Sequence, residues 1–139
     1  GAKRLGLHIL ETKVMDAAAP AEAGETPFDG VLCDVPCSGY GVMGRKSDIK
    51  ARLDPSAMDT LIPLQQQILQ AASARVRPGG RLVYSTCTLN RKENEKQVSR
   101  FLSEHPEFSL VREKTFFPFE FDSDGFYVAL MHRDSVVNE

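Results

Sequence analysis

The feature that most constrains this chain is a pair of compact apolar runs separated by one long helical stretch. Residues 28–34, FDGVLCD, hold a continuous Val31-Leu32-Cys33 run, which predicts a strand buried on both faces. Residues 81–86, RLVYST, are a second such run. Between them Met58, Leu61, Ile62, Ile68, Leu69, Ala72 and Val76 recur at spacings of three and four, the stripe of an amphipathic helix. Strand, helix and strand in that order form a crossover unit, and such units build parallel sheets with helices on their faces.

The rest of the chain fits that frame. Residues 8–15 are short and partly β-branched, which predicts an earlier strand. Residues 17–27, AAAPAEAGETP, read as a surface loop, and residues 35–54, with Pro36, Gly39, Gly41 and Gly44, as a long loop. Asp54-Pro55 opens the helical region. Pro63 should split it into a short turn and a main helix over residues 64–76, which Arg77-Pro78-Gly79-Gly80 should stop. Asn90 with Glu93 predicts an N-cap and its reciprocal partner for a helix whose buried stripe is Val98, Phe101 and Leu102 and which His105-Pro106 ends. Residues 108–114 and 126–132 are two closing strands with no helix between them, so an antiparallel pair should lie at one edge. The expectation is a single α/β domain over residues 1–139.

Composition narrows the function classes. The chain has 139 residues, of which 42% are hydrophobic and 26% charged, with a net charge of -2. That is ordinary globular usage, and it gives no global electrostatic argument for nucleic acid. Basic residues cluster only locally, at Arg45, Lys46, Lys50 and Arg52 and at Arg91 and Lys92. No apolar run approaches the roughly 18 residues of a membrane helix, and no signal peptide is evident. Cys33, Cys37 and Cys87 are an odd, low count, which fits free thiols in a reducing cytoplasm. The Cys33–Cys37 spacing is not that of a zinc finger, and His8, His105 and His132 are scattered, so no metal site is expected. Nothing in the sequence sets an oligomeric state.

Two constellations carry chemistry. Asp34-Val35-Pro36-Cys37-Ser38-Gly39 directly follows one buried strand, and Ser85-Thr86-Cys87 closes the next. Open α/β sheets bind ligands beyond the carboxyl ends of their strands, so neighbouring strands would bring both thiols into one cleft. Pro36 restricts the backbone there, while Gly39 and Gly41 let it turn. Each element has a plainer reading alone: a cysteine after a strand as a small buried hydrophobe, and Asp-x-Pro as a turn. Cys33, inside the strand, reads as core. The joint case is sharpened by the second thiol with a carboxylate beside it.

In order, DVPCSGYG, GRKSDIK, LQQQIL, RPGGRLVYSTCTLNRKENE and DGFYVAL resemble segments of the Sun/Fmu (RsmB-like) RNA cytosine-5 methyltransferases. The likeness covers nearly the whole chain and departs at Val35, where the family more often has Ala. It implies a Rossmann-like methyltransferase sheet and S-adenosylmethionine (SAM) as cofactor. The implied substrate is RNA, ribosomal RNA in the first instance. Its target base must leave the stack to reach two thiols and a methyl donor. The resemblance makes Cys87 the nucleophile and Cys37 the group for product release. It sets Asp34 at the cytosine's nitrogen edge. Asp34 and Pro36 would lie beside the cofactor and Asp16 at the adenine, where capping of a strand-end turn is the competing reading. Arg45 and Lys50 are placed within reach of RNA phosphate. The family's Gly-rich cofactor loop and the acidic residue after its second strand do not match any segment here. The resemblance therefore implies the downstream part of a catalytic domain, incomplete at the N-terminus and inactive alone. Two other readings stand beside it. One is an inactive RNA-binding or packing fragment. The other is a cysteine-dependent hydrolase, which needs His8 or His132 within reach of a cleft thiol.

Overall fold

The computed structural model describes residues 4–6, 8–39, 55–121 and 124–135. Strand β1 is Phe28–Asp34, helix α1 Pro55–Ser73, strand β2 Val76–Thr86, helix α2 Glu95–Glu104, strand β3 Phe108–Phe116, the one-turn helix α3 Pro118–Phe121, and strand β4 Phe126–Arg133. They build an open four-stranded sheet in the order β1-β2-β4-β3. β1 and β2 run parallel, joined by the α1 crossover, whereas β4 runs antiparallel to both β2 and β3. The expected α/β class and the antiparallel closing pair are both present.

α1 and α2 pack against each other and against the sheet. Leu82, Tyr84 and Thr86 alternate towards the core along β2, in register with Met131, Ala129 and Tyr127 of β4. With Ile68, Leu69 and Ala72 of α1 and Val98 and Phe101 of α2, the apolar and aromatic members of these pairs form one cluster. Burying each large aliphatic side chain there contributes about 1.5–3 kcal/mol. The opposite sheet face is open, with Leu32 69% and Phe126 40% exposed.

Five local expectations fail, each for a physical reason. β1 is not buried on both faces: Cys33 packs with α1, while Leu32, on the other face, is 69% exposed. Residues 8–15 form no strand, and Ile9 and Val14 are exposed. A strand needs a partner edge, and none among the described residues pairs with this segment. α1 runs unbroken through Pro63. Pro63 forfeits one backbone bond, but the turns after it are held by the buried Gln65, Ile68, Leu69 and Ala72.

β2 begins at Val76 and absorbs Pro78-Gly79-Gly80 as an irregularity. Phe28 pairs with Val76, yet Gly30 already pairs with Arg81. Gly79 takes φ +81° there, and a Cβ on Gly80 would stand 2.8 Å from the Asp29 carbonyl oxygen. Only glycines permit that approach. Lastly, α2 starts at Glu95 rather than after Asn90. Asn90 caps a preceding turn by accepting the Lys92 N–H at 3.1 Å, and Glu93 faces inward.

Residues 17–27 are the surface loop expected, fixed at one point. Arg75 reaches from the end of α1 to Glu25 at 3.0 Å and to the Ala19 carbonyl at 3.2 Å.

Candidate active site

Pairing of β1 with β2 positions the cysteines. Asp34 sits opposite Ser85, and the Val35 N–H donates to the Ser85 carbonyl at 3.2 Å. The residues that follow each strand, Pro36-Cys37 and Cys87, therefore emerge side by side at the carboxyl edge of a parallel pair. Cys37 Sγ and Cys87 Sγ are 2.8 Å apart, and the Cys87 N–H donates to Cys37 Sγ at 3.3 Å. Burial, reinforced by the side-chain hydrogen bond between the two sulfurs, pushes the Cys37 thiol up to about 12, against the opposing pull of the Cys87 N–H. At neutral pH Cys37 therefore keeps its proton. Cys33 is likewise pushed up to about 12, by burial and then by the Asp34 charge, and at 4% exposure it packs in the core.

A cleft of about 590 Å³ opens over the thiols. Asp34, Pro36 and Ser85 line one side and Phe116, Phe126 and Val128 the other. Ser85 Oγ donates to Asp34 Oδ1 at 2.9 Å, which orients the carboxylate at the rim. The two phenylalanines are opposite each other at the β3–β4 end. Sequence reasoning missed them. The available signal was Phe126 at the head of the last predicted strand, residues 126–132.

Under the cleft lies a buried polar cluster that sequence reasoning also missed. Glu93 is 0% exposed. Its Oε1 accepts from the Ser38 N–H at 2.9 Å and from Gln65 Nε2 at 3.0 Å, and its Oε2 accepts from Ser38 Oγ at 2.7 Å. Gln65 Nε2 also donates to the Pro36 carbonyl at 2.9 Å, while its Oε1 accepts from Gln97. Ser38 Oγ lies 3.0 Å from Thr88 Oγ1. The loop after Cys87 is held in turn by Tyr84, whose hydroxyl donates to the Glu93 carbonyl at 2.6 Å, and by Asn94, which bonds Thr86 and Thr88. A signal existed: Gln65 stands three and four residues before Ile68 and Leu69, on the buried stripe of α1.

The remaining expected site residues are not gathered here. Asp16 lies outside the cleft lining, and its Oδ1 accepts the Ala18 N–H at 2.9 Å, capping a turn. Arg45 and Lys50 lie outside the described residues. No histidine lines the cleft among the described residues: His8 is exposed, and His132 of β4 sits opposite Arg81, at the end of the β2–β4 ladder remote from Cys87. The hydrolase reading thus lacks its base among the described residues. No helix among them is long and apolar enough to cross a membrane.

Comparison with known proteins gives a consistent picture. Residues 1–132 match the family described as 16S rRNA methyltransferase RsmB/F. A probable ribosomal RNA small subunit methyltransferase B of Bacillus subtilis is 38% identical, covering 95% of this chain and 34% of the relative. A ribosomal RNA small subunit methyltransferase F of Cronobacter sakazakii is 32% identical over 99% of this chain and 31% of its own length. Among solved structures, PH0851 superposes with a TM-score of 0.90 at 34% identity, over 95% of this chain and 33% of that one. NSun6 from Pyrococcus horikoshii, solved with SFG, gives 0.83 at 27% identity, over 98% and 37%. The chain thus spans about a quarter to a third of the curated relatives' length.

Proposed function

The chain belongs to the 16S rRNA methyltransferase RsmB/F family, and from that premise we propose that it carries the two-thiol reaction centre of an RNA cytosine-5 methyltransferase. The observation that carries this reading is the 2.8 Å approach of Cys37 and Cys87 at the mouth of one cleft.

Carbon 5 of cytosine is a weak nucleophile. A thiolate adding at carbon 6 makes the ring enamine-like, which splits one hard step into two easier ones. In this reading Cys87, directly after β2, is the nucleophile, as the family resemblance implies, and Cys37, whose thiol burial pushes up, is the protonated partner beside it. SAM, when bound, supplies the methyl group to carbon 5. The cleft fits a cationic donor: a rim carboxylate, Asp34, faces a mainly apolar wall. Asp34 and Pro36 would hold the donor on that side, with Asp34 also reaching the base's nitrogen edge. Asp16 stays a proposal for the adenine, and Arg45 and Lys50 for phosphate. Phe116 and Phe126 offer flat surfaces to an unstacked base.

Release requires carbon 5 to lose its proton and the carbon 6–sulfur bond to break, with the electron pair returning to Cys87. Cys37 can serve both ends. Its S–H proton passes to the departing Cys87 sulfur, and the Cys37 thiolate so formed takes the carbon 5 proton. The exchange leaves Cys37 a thiol.

The test is a denaturing gel of the full protein carrying these residues, incubated with a 16S rRNA transcript and SAM. Cys87→Ala should give neither 5-methylcytosine nor a covalent band. Cys37→Ala should transfer the methyl group once and stall as a protein–RNA adduct. Adduct formation by Cys87→Ala would reverse the roles, and full turnover by both variants would end the reading.

A further inference from the structure

Glu93 is a carboxylate with no exposed surface and no role in the chemistry above. It belongs to the loop after Cys87, yet three of its hydrogen bonds go elsewhere, two to Ser38 beside Cys37 and one to Gln65. Gln65 holds the carbonyl of Pro36, on the other side of Cys37. Both neighbours of Cys37 are thus tied to one buried acceptor and one buried amide. The same acceptor is fixed to the Cys87 side through Tyr84, which bonds its backbone carbonyl. We propose that Glu93, seated by Gln65, is a positioning residue: its carboxylate sets Cys37 against Cys87 and so governs product release more than methyl transfer. The inference rests on the two-thiol reading above.

The physical ground is that the Cys37 side of the cleft is a loop, with no ladder bonds beyond Val35 among the described residues to hold it. A loop placed by side chains moves when those side chains are cut, and misplacement by about 1 Å can cost about 10²-fold in rate. Cys87 stands directly after β2 and is anchored by the sheet. Loss of Glu93 should therefore move the releasing thiol and leave the nucleophile in place. Hydrogen-bond geometry also separates positioning from proton transfer. In Glu93→Gln the amide oxygen can accept from Ser38 N–H and Gln65. The new amide N–H can donate to Ser38 Oγ, whose own proton turns to Thr88. All partners are kept, and only the ability to carry a proton is lost.

The experiment compares Glu93→Ala, Glu93→Gln and Cys37→Ala in the full protein, with a 16S rRNA transcript and radiolabelled SAM. In Glu93→Ala, turnover should fall by about 10²-fold, single-turnover methyl incorporation far less, and the covalent RNA adduct should accumulate as in Cys37→Ala. Glu93→Gln should recover most of the turnover. Oxidation of the Cys37–Cys87 pair by diamide, which takes up both thiol hydrogens, should slow in Glu93→Ala without any RNA present. If Glu93→Ala does not fold, Ser38→Ala, which cuts one of the three bonds, should show the same shift towards adduct to a smaller degree. Wild-type partition between adduct and product in a folded Glu93→Ala overturns the proposal, as does a Glu93→Gln as impaired as the alanine. A wild-type protein that forms neither 5-methylcytosine nor adduct overturns the underlying reading instead. The diamide rates still test the geometry in that case.

Discussion

Removing the hydroxyl of Tyr84 measures how firmly the loop after Cys87 is held. In the fold this hydroxyl donates at 2.6 Å to the Glu93 carbonyl, and neither residue has exposed surface. Burial pushes the phenol above its ordinary range, so it remains a donor at any working pH. Tyr84→Phe keeps the ring and its edge-on contact with Tyr127 at 6.3 Å. The loss is therefore confined to one bond and one carbonyl deprived of that donor. A net hydrogen bond is worth about 0.5–1.5 kcal/mol and a buried orphan carbonyl costs about 1–3, so roughly 1–2 kcal/mol is expected. Unfolding entropy of roughly 2.1 cal/mol/K per residue, taken over 139 residues, makes each kcal/mol about 3–4 °C in Tm. Urea unfolding followed by far-ultraviolet circular dichroism, with a thermal melt beside it, should give an unchanged m value and a Tm lowered by about 5 °C. An unchanged Tm would mean that water or another donor satisfies the Glu93 carbonyl, and that the loop is not secured from β2.

Other outcomes follow from the same geometry. The Cys33 and Cys37 thiols are pushed from an ordinary 9.0 up to about 12, so the unfolded chain releases their protons first. Their stabilisation is complete below pH 9 and is lost as pH rises towards about 12. Urea midpoints should fall across that window, and Cys33→Ala should make the fall shallower; equal steepness would refute the burial argument. Gly80→Ala would place a Cβ 2.8 Å from the Asp29 carbonyl oxygen, whereas at Gly30 the nearest atom is 3.9 Å away. A melt should show the first substitution costing about 1–3 kcal/mol and the second far less. Arg75→Ala removes the contacts to Glu25 and Ala19. Limited proteolysis should then cut residues 17–27 faster, with the core products unchanged.

What could be read from the sequence was whatever depended on burial alone. The Ile68-Leu69-Ala72 stripe announces its helix because apolar surface has one favourable place to go, and Val31-Leu32-Cys33 announces a strand of which only Cys33 is buried. The unread parts depend on partners distant in sequence. Residues 8–15 have strand composition, but a strand is defined by the edge that pairs with it. Pro78-Gly79-Gly80 spells a stop, yet Phe28 and Gly30 on β1 pair on either side of it and keep it in the sheet. Glu93 follows Asn90 at capping distance, and local rules assign it to the helix start. The donors that claim it, Ser38 and Gln65, are more than two dozen residues away. For the site, both thiols were legible because each directly follows a strand signal. The scaffold beneath them was not, because glutamine and glutamate are mostly surface residues.

That scaffold bears on why the site is built from polar groups at all. Gln65, Glu93, Asn94, Gln97, Thr86 and Thr88 are all buried, in a region that apolar side chains could fill with fewer conditions. Apolar packing is non-directional and tolerates small slides, because a leucine displaced by half an ångström keeps most of its contacts. Hydrogen bonds inside a low-dielectric interior lose strength quickly when bent or stretched, and an unpaired buried group is costly. A polar cluster whose donors and acceptors are matched therefore admits few arrangements. Here the matched set spans α1, the Cys37 loop and the Cys87 loop, so its few arrangements are also the few separations open to the two sulfurs. A reaction that asks one thiol to bond carbon and its neighbour to exchange protons with it needs that restriction. The cluster accordingly lies directly below the cleft, and it holds all but one, Ser73, of the buried polar side chains among the described residues.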